Sequence, residues 1–188
     1  MSYVVVALGL LATLGAGCSP DPVEPVTTEP WVEGGLPEYC DGRGGDDAQF
    51  WDLVHSSCRI AQDGDLAQAE ALRKSLEEVP EERVADFHRT FVRLNRGLVV
   101  VDEVADDLWA PGVGLRADLR TDYRSWVLAH GQAAYEAVVA DPEALRDFPD
   151  AAVGCGLGEP YGATAYALYL ERTGLSPDEA DVPIIEGR

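Results

Sequence analysis

Short amphipathic stretches alternate with helix-interrupting Gly and Pro residues between positions 46 and 175. Each stretch carries apolar residues three and four positions apart, and Gly64, Pro80, Pro111 and Gly131 separate successive stretches. Apolar residues at this period predict amphipathic helices, which can bury their apolar faces only by packing together. The sequence therefore predicts a mainly α fold: one compact domain of six or seven helices.

The first three helices are predicted from their caps and from one proline. Asp46 and Gln49 resemble a capping box that opens the first helix, and Asp65 and Gln68 repeat it before the second. Pro80 ends the second helix and suits the first turn of a third. Helices joined by such short connections are expected to run antiparallel.

Four segments describe the rest of the domain. The β-branched run at 97–101 flows into the apolar stripe of residues 101–108, which favours a helix over a strand. A further helix is expected over residues 119–130, ended by Gly131. Asp141 and Pro142 open a short helix through Arg146, and the last helix, with apolar and aromatic residues from 166 to 173, ends at Gly174.

The N-terminus indicates export. Residues 3–17 are apolar or small and uncharged, which is too short to span a bilayer but suits a signal-peptide core. The run ends at Cys18 and resembles a bacterial lipobox, in which that Cys becomes the acylated first residue. Residues 1–17 are therefore predicted to be a signal peptide and Cys18 a lipidation site. Secretion without a lipid, retention as an uncleaved anchor and a buried element of the domain remain alternatives.

Residues 18–45 are rich in Pro and Gly and lack apolar periodicity. Such a segment cannot bury enough surface to become ordered, so it is predicted to be a disordered tether. The domain then occupies residues 46–175, and residues 176–188 form a C-terminal tail. The expected location is the cell envelope, anchored by lipid at the outer membrane or the periplasmic face.

The charge of the chain excludes one class of partner. Acidic residues number 34 and basic residues 14, for a formal net charge of -20. Nucleic acid is excluded as a partner because its phosphates would be repelled by the net negative charge. The simplest interpretation of the charge is that it keeps the protein soluble. A more specific hypothesis is divalent-cation binding by the acidic run Asp102, Glu103, Asp106 and Asp107, although a solvated acidic face is favoured.

No metal site or cofactor is predicted. His55, His88 and His130 are too scattered for a zinc pattern, and they are interpreted as ordinary helix residues. Cys155 lies in a Gly-rich run, but no neighbouring His signature supports a nucleophile there.

Several short motifs, in a fixed order, resemble one bacterial family. They are Phe-Trp-Asp-Leu at 50–53, Asp-Leu-Trp at 107–109, a segment with Tyr-Arg-x-Trp at 122–131, Asp-Pro-Glu-Ala-Leu at 141–145 and a closing motif at 168–174. Over about residues 48–175 the chain looks like the family known as domain of unknown function 4240. The resemblance implies an α-rich domain and no established activity. The chain departs from the family at 112–118, where a Cys and one Asp of the family pattern are missing.

Six residues of the family-like motifs are candidates for a site. One interpretation, which we favour, makes the tryptophans core residues and pairs the arginine with an aspartate in a structural ion pair. The more specific interpretation is that these residues form a shallow groove that binds a ligand or a protein partner. The six residues are Asp107, Trp109, Asp118, Asp122, Arg124 and Trp126.

Three cysteines remain if Cys18 is acylated, and an exported setting favours disulfides. Only one bridge can form among Cys40, Cys58 and Cys155. Pairing Cys40 with Cys58 would fasten the tether to the first helix, whereas pairing Cys58 with Cys155 would join that helix to a late loop. The spacing leaves both open.

Three functions compete at this stage. The leading hypothesis is a monomeric, non-catalytic envelope lipoprotein whose helical domain binds a protein or a small ligand. The alternative is an envelope hydrolase that uses the Asp and Arg residues between Asp118 and Trp126. A structural envelope component without a discrete site is the third. A pocket joining Asp118, Asp122 and Arg124 would favour the enzyme, and a broad apolar face would favour a protein partner.

Overall fold

The computed structural model describes Cys40 and residues 44–60, 65–109, 111–148 and 158–175. The predicted signal peptide, most of the predicted tether and the tail at 176–188 lie outside these residues, and so do Cys18 and Cys155. The described part contains helices and no strand, which confirms the mainly α class.

Seven α-helices form the described part, within the predicted six or seven. They are α1 (Ala48–Ile60), α2 (Asp65–Glu77), α3 (Glu81–Gly97), α4 (Asp102–Trp109), α5 (Ala117–Ala129), α6 (Gln132–Ala140) and α7 (Gly158–Thr173), with 3-10 helices at Leu98–Val101 and Pro142–Asp147. Among these described helices, none is both long and apolar enough to cross a membrane.

One helical path runs from α3 through the first 3-10 helix into α4. Gly97 keeps helical backbone angles, with φ -66° and ψ -23°, so it does not break the chain there. Val101, Val104 and Ala105 are buried along this path. The prediction that the β-branched run continues as helix is confirmed, although its turns are of the tighter 3-10 kind.

Helix α5 lies at the centre of the bundle. Eight of its 13 residues are buried, including every residue from Tyr123 to Ala129. Seven consecutive helical positions point in all directions around the axis, so other elements must cover α5 on every side. It contacts α1, α3, α4, α6 and α7.

The core is formed by apolar faces at the predicted positions. Phe87 and Phe91 of α3 are buried, and Phe50 of α1 stacks on Phe87 with ring centroids 4.7 Å apart. Trp126 of α5 is 1% exposed. Truncating a buried aromatic of this size costs about 3–5 kcal/mol, so these rings contribute much of the stability.

The sequence analysis did not predict α6. Gly131, with φ 98°, ends α5, and a new helix begins at once at Gln132. Its buried residues are Gln132, Ala134 and Val138, and the two apolar ones are four residues apart. The segment between Gly131 and Asp141 is rich in Ala, which has the highest helix propensity, so its composition already indicated a helix.

Candidate functional site

Helices α4 and α5 are joined by a two-rung set of ion pairs, the α4–α5 ladder. Asp102 accepts two hydrogen bonds from Arg124, one of them from Nε at 2.8 Å. One turn along, Asp106 accepts from Nε and from a terminal nitrogen of Arg120, at 3.2 and 2.5 Å. The two aspartates are four residues apart on α4, and the two arginines are four residues apart on α5. The order of the partners is opposite along the two helices, as antiparallel helices require.

Burial differs between the rungs of the ladder. The side chains of Arg124 and Asp102 are only 6% and 13% exposed, whereas those of Arg120 and Asp106 are 31% and 21% exposed. Asp106 also accepts from the backbone N–H of Leu115 at 2.8 Å, which fixes the loop before α5. Its hydrogen bond raises the pKa of Arg120 above the usual value. The ladder is therefore a bidentate, structural contact.

Most aspartates of the acidic run that begins at Asp102 form ion pairs with arginines. Besides the two rungs, Asp107 lies 3.4 Å from a terminal nitrogen of Arg146 across an exposed contact. Among the described residues, no group of three or more acidic, His or Cys side chains is placed to hold a metal ion. The solvated-face interpretation is therefore wrong for Asp102 and Asp106, because arginine neutralises them.

The opposite side of α5 borders a cleft of about 320 Å³ between α3, α5 and α7. We name it the α3–α5–α7 cleft. Helix α3 contributes one lining residue, α5 contributes three and α7 four. They are His88, Thr121, Asp122, Ser125, Glu159, Gly162, Ala163 and Tyr166. The volume is at the lower end for a small-molecule pocket.

Two glycines of α7, one of which (Gly162) lines the cleft, allow α7 to pack closely on α5. A Cβ atom on Gly158 would lie 1.7 Å from the backbone oxygen of Asp122, and one on Gly162 would lie 2.8 Å from Oγ of Ser125. Only residues without a side chain allow the α5 and α7 backbones to approach this closely. Because the glycines are four residues apart, they lie on one face of α7, and this face can pack directly against the backbone of α5.

Asp122 is the electrostatically unusual residue of the cleft. Burial, together with the negative charges of Glu159 and Asp118, raises its pKa from 3.8 to about 6. Among the described residues that line the cleft, none is Lys or Arg. Within the described part of the chain, its carboxylate thus lacks the arginine partner that each carboxylate of the ladder has.

The six predicted site residues do not share one surface. Trp126 is a core residue, and Trp109 packs edge-on against Tyr123 with centroids 4.9 Å apart. Asp118 is exposed and contacts Arg116 at 3.1 Å. Of the six, only Asp122 lines the cleft; Asp107 pairs with Arg146 and Arg124 with Asp102.

The histidines and the remaining cleft residues come from several helices. His55 accepts a hydrogen bond at Nε2 from the backbone N–H of Gln132, at 3.1 Å, and Nδ1 of His130 lies 2.8 Å from the backbone oxygen of Trp126. His88 lines the cleft beside Tyr166, with ring centroids 5.8 Å apart. Sequence reasoning did not connect these two rings with Asp122, because they belong to three different helices.

A disulfide joins Cys40 to Cys58 at the end of α1, with Cα atoms 5.8 Å apart. The chain returns to the start of α1 at Gly44, whose backbone oxygen accepts a hydrogen bond from Gln132 at 3.0 Å. Of the two pairings that the sequence left open, the structure has the one that fastens the end of the tether to the domain.

A wider recess of about 450 Å³ lies between the start of α1 and α3. Two of its acidic side chains are already paired, Asp47 with Arg93 at 2.6 Å and Asp86 with Arg89 at 2.9 Å. Although this recess is larger, two of its four charged lining residues are already paired within the domain. We therefore regard the smaller α3–α5–α7 cleft as the candidate site.

Residues 46–174 match the profile of a family described as a protein of unknown function, DUF4240. The match spans well over half of the chain. The chain belongs to this family. The resemblance seen in the short motifs is thereby confirmed over the whole domain. No curated protein and no solved structure gives a significant match.

Membership in DUF4240 fits the architecture seen here, because the matched region begins two residues before α1 and ends one residue after α7. The Tyr-Arg-x-Trp segment of the family lies on central helix α5, where it supplies Tyr123 and Trp126 to the core and Arg124 to the ladder. That motif is therefore explained by packing, whereas the cleft lies on the opposite side of the same helix.

Proposed function

We propose that this chain is a non-catalytic lipoprotein of the bacterial cell envelope whose helical domain binds a small ligand in the α3–α5–α7 cleft. The observation that carries the binding role is the half-buried Asp122 carboxylate in a concave site that no arginine lines among the described residues. A buried carboxylate without a partner costs stability, so a fold gains from keeping one only if something outside the domain uses it.

Two features support the location. The apolar N-terminal run ends at Cys18, and a Pro-rich stretch follows it. The Cys40–Cys58 disulfide suits an oxidising compartment, where such bonds persist. In cells grown with a fatty-acid analogue, we expect label on the wild-type chain and none on a Cys18→Ala variant. Unchanged labelling of that variant would refute lipidation at this residue.

Small-ligand binding is favoured over a hydrolase and over a protein-docking face. A hydrolase that uses Asp118, Asp122 and Arg124 needs them in one pocket, but Arg124 is buried against Asp102 on the other side of α5. Large exposed apolar side chains of the described residues come from four separate segments. They are Val99, Val100, Val113, Val139, Leu170 and Leu175. We prefer the cleft to a protein-docking face because it combines a concave shape with the half-buried Asp122 carboxylate.

A fragment titration followed by NMR tests the binding role directly. A set of small compounds with equal numbers of cations, neutral molecules and anions is added to the full chain in detergent. We expect saturable shifts of the amide resonances of Ser125 and Gly162. Ala163→Trp, which places a large ring at the rim, should abolish them.

The matched control is Ala167→Trp, one helical turn further along α7 and also exposed, but outside the residues that line the cleft. This variant should bind as the wild type does. The proposal fails if no compound shifts the cleft resonances, or if Ala163→Trp binds as well as Ala167→Trp.

A further inference from the structure

We infer that the α3–α5–α7 cleft selects a small organic cation, with an ammonium group against Asp122 and an apolar part against the wall that the rings of His88 and Tyr166 form together. This inference rests on the proposed function and names the chemical class of its ligand. Three separate observations support it: the charge of the cleft, its hydrogen-bonding groups, and the wall formed by the rings of His88 and Tyr166, which we call the ring wall.

Charge is the first argument. The two charged residues that line the cleft, Asp122 and Glu159, are both acidic. Elsewhere in the described domain, the partly buried carboxylates of Asp102 and Asp106 are each neutralised by arginine. A ligand that brings a positive charge would supply to Asp122 what arginine supplies in the ladder. A neutral or anionic ligand would leave the half-buried carboxylate uncompensated.

Hydrogen-bonding capacity is the second argument, and it does not depend on net charge. The hydroxyl of Thr121 donates to the backbone oxygen of Ala117 at 3.1 Å, and that of Ser125 donates to the backbone oxygen of Thr121 at 2.9 Å. Both hydroxyl protons are therefore used within α5. The cleft offers carboxylate oxygens as acceptors, and an ammonium group supplies three donors and no acceptor.

The ring wall is the third argument. His88 and Tyr166 contact each other across the cleft wall, with centroids 5.8 Å apart. The face of a tyrosine ring attracts a cation that lies within about 6 Å of its centroid, and the same surface covers an apolar substituent. A volume of about 320 Å³ limits the ligand to a small molecule.

A matched trio of probes tests the inference: benzylammonium, benzyl alcohol and benzoate. They have similar size and the same ring but differ in charge, and each is titrated into the full chain while the amide resonances of Ser125 and Gly162 are followed. We expect benzylammonium to bind at least about tenfold more tightly than the other two, the difference that one charge-assisted hydrogen bond confers.

Two variants with the same change in charge separate a local effect from a general one. Asp122→Asn should weaken benzylammonium binding by about tenfold or more. Asp118→Asn, on the same helix but exposed and next to Arg116, should weaken it by less than about twofold. Glu159→Gln should lie between them.

The outcomes distinguish this inference from the proposed function. Preference for benzylammonium that is lost in Asp122→Asn supports both. Equal or tighter binding of benzyl alcohol or benzoate in the cleft overturns the cation inference and leaves the binding role intact. Equal losses in Asp122→Asn and Asp118→Asn also overturn it. If benzylammonium does not bind while other fragments do, the inference fails alone; if no fragment binds, both fail.

Discussion

The two sides of helix α5 place carboxylates in different environments. Towards α4, Asp102 meets Arg124 in a nearly dry, bidentate contact. Towards α7, Asp122 lies beside Glu159 in a cleft whose described lining includes no arginine. Arg124 and Asp122 are two residues apart, so their side chains leave the helix about 200° from each other.

This difference separates a structural surface from a candidate binding surface on a single helix. Arginine compensates the cost of burying a carboxylate on the α4 side, and that side therefore holds the bundle together. On the α7 side the same cost is not compensated by any described residue of the chain, which is the usual signature of a site kept for something else. The four predictions that follow test this difference, from the largest expected effect to the smallest.

Removing the buried carboxylate of the ladder should have the largest effect. Asp102→Asn leaves the guanidinium of Arg124 buried without a counter-charge, so the free energy of unfolding should fall by about 3–5 kcal/mol in urea denaturation. A double variant that also carries Arg124→Met should recover part of this loss, because no buried charge remains. A loss below about 1 kcal/mol in Asp102→Asn would show that the pair is not structural.

The close approach of α7 to α5 should be the next most sensitive. Gly158→Ala places a Cβ atom 1.7 Å from a backbone oxygen, which cannot move away alone. Overpacking of this kind costs about 1–3 kcal/mol, more than the helix propensity gained from Ala. Gly162→Ala is the control, since its nearest contact is a side-chain atom, Oγ of Ser125 at 2.8 Å, instead of a backbone atom at 1.7 Å. Thermal melts should rank Gly158→Ala as the more damaging; the reverse order would contradict the close-contact account.

Asp122→Asn should act in the opposite direction to Asp102→Asn and stabilise the domain by about 1 kcal/mol at neutral pH, a value discounted for partial exposure. The pKa of Asp122 is raised from 3.8 to about 6 on folding, so the folded state binds more protons between these values. Asp122 therefore stabilises the wild type most below pH 4, and this contribution is lost as the pH rises through about 6.

Denaturation at several pH values checks this sign. The stability of Asp122→Asn minus that of the wild type should grow between about pH 4 and pH 6 and stay constant above pH 7. Asp118→Asn, exposed on the same helix, should give a much flatter difference. A destabilised Asp122→Asn at neutral pH would mean that the carboxylate has a structural partner and would remove the contrast between the two sides of α5.

The smallest effect is expected at the exposed end of the acidic run. Asp107 is 71% exposed, and its contact with Arg146 spans 3.4 Å. Asp107→Asn should therefore change the free energy of unfolding by less than about 0.5 kcal/mol in urea denaturation. Comparison with Asp102→Asn then isolates burial, because both substitutions remove an arginine-paired carboxylate from α4. A loss above about 2 kcal/mol would show that burial does not govern these pairs.

Local pattern was enough to predict most of the helices. Apolar periodicity, caps and helix-breaking residues act over a few residues, so they can be recognised in the sequence. They predict the apolar stripes of α1 to α5, the break after residue 109, and the short helix opened by Asp141 and Pro142. Helix α6 was not predicted because the strong helix stop at Gly131 and the cap at Asp141 lie only ten residues apart. Ala134 and Val138, spaced by one turn, were the signal for it.

The tertiary pairings were harder to predict. An aspartate partner for Arg124 was expected, yet its identity as Asp102 depends on how α4 folds back on α5. The equal four-residue spacing of Asp102 with Asp106 and of Arg120 with Arg124 was a readable signal for the ladder. The signal for the cleft was weaker. Gly158 and Gly162 share one face of α7, but the predicted last helix is recognised only from the apolar and aromatic residues that begin at 166.

The disulfide determines how the domain responds to force. Any pull on residues before Cys40 passes through its sulfur atom to Cys58, because the covalent bridge is the shortest load path into the fold. Residues 44–57, which include most of α1 and the contact of Gly44 with Gln132, lie inside the closed loop and bear no tension. Reduction would move the point of loading to the start of α1, where unzipping of the helix from its first turn becomes possible.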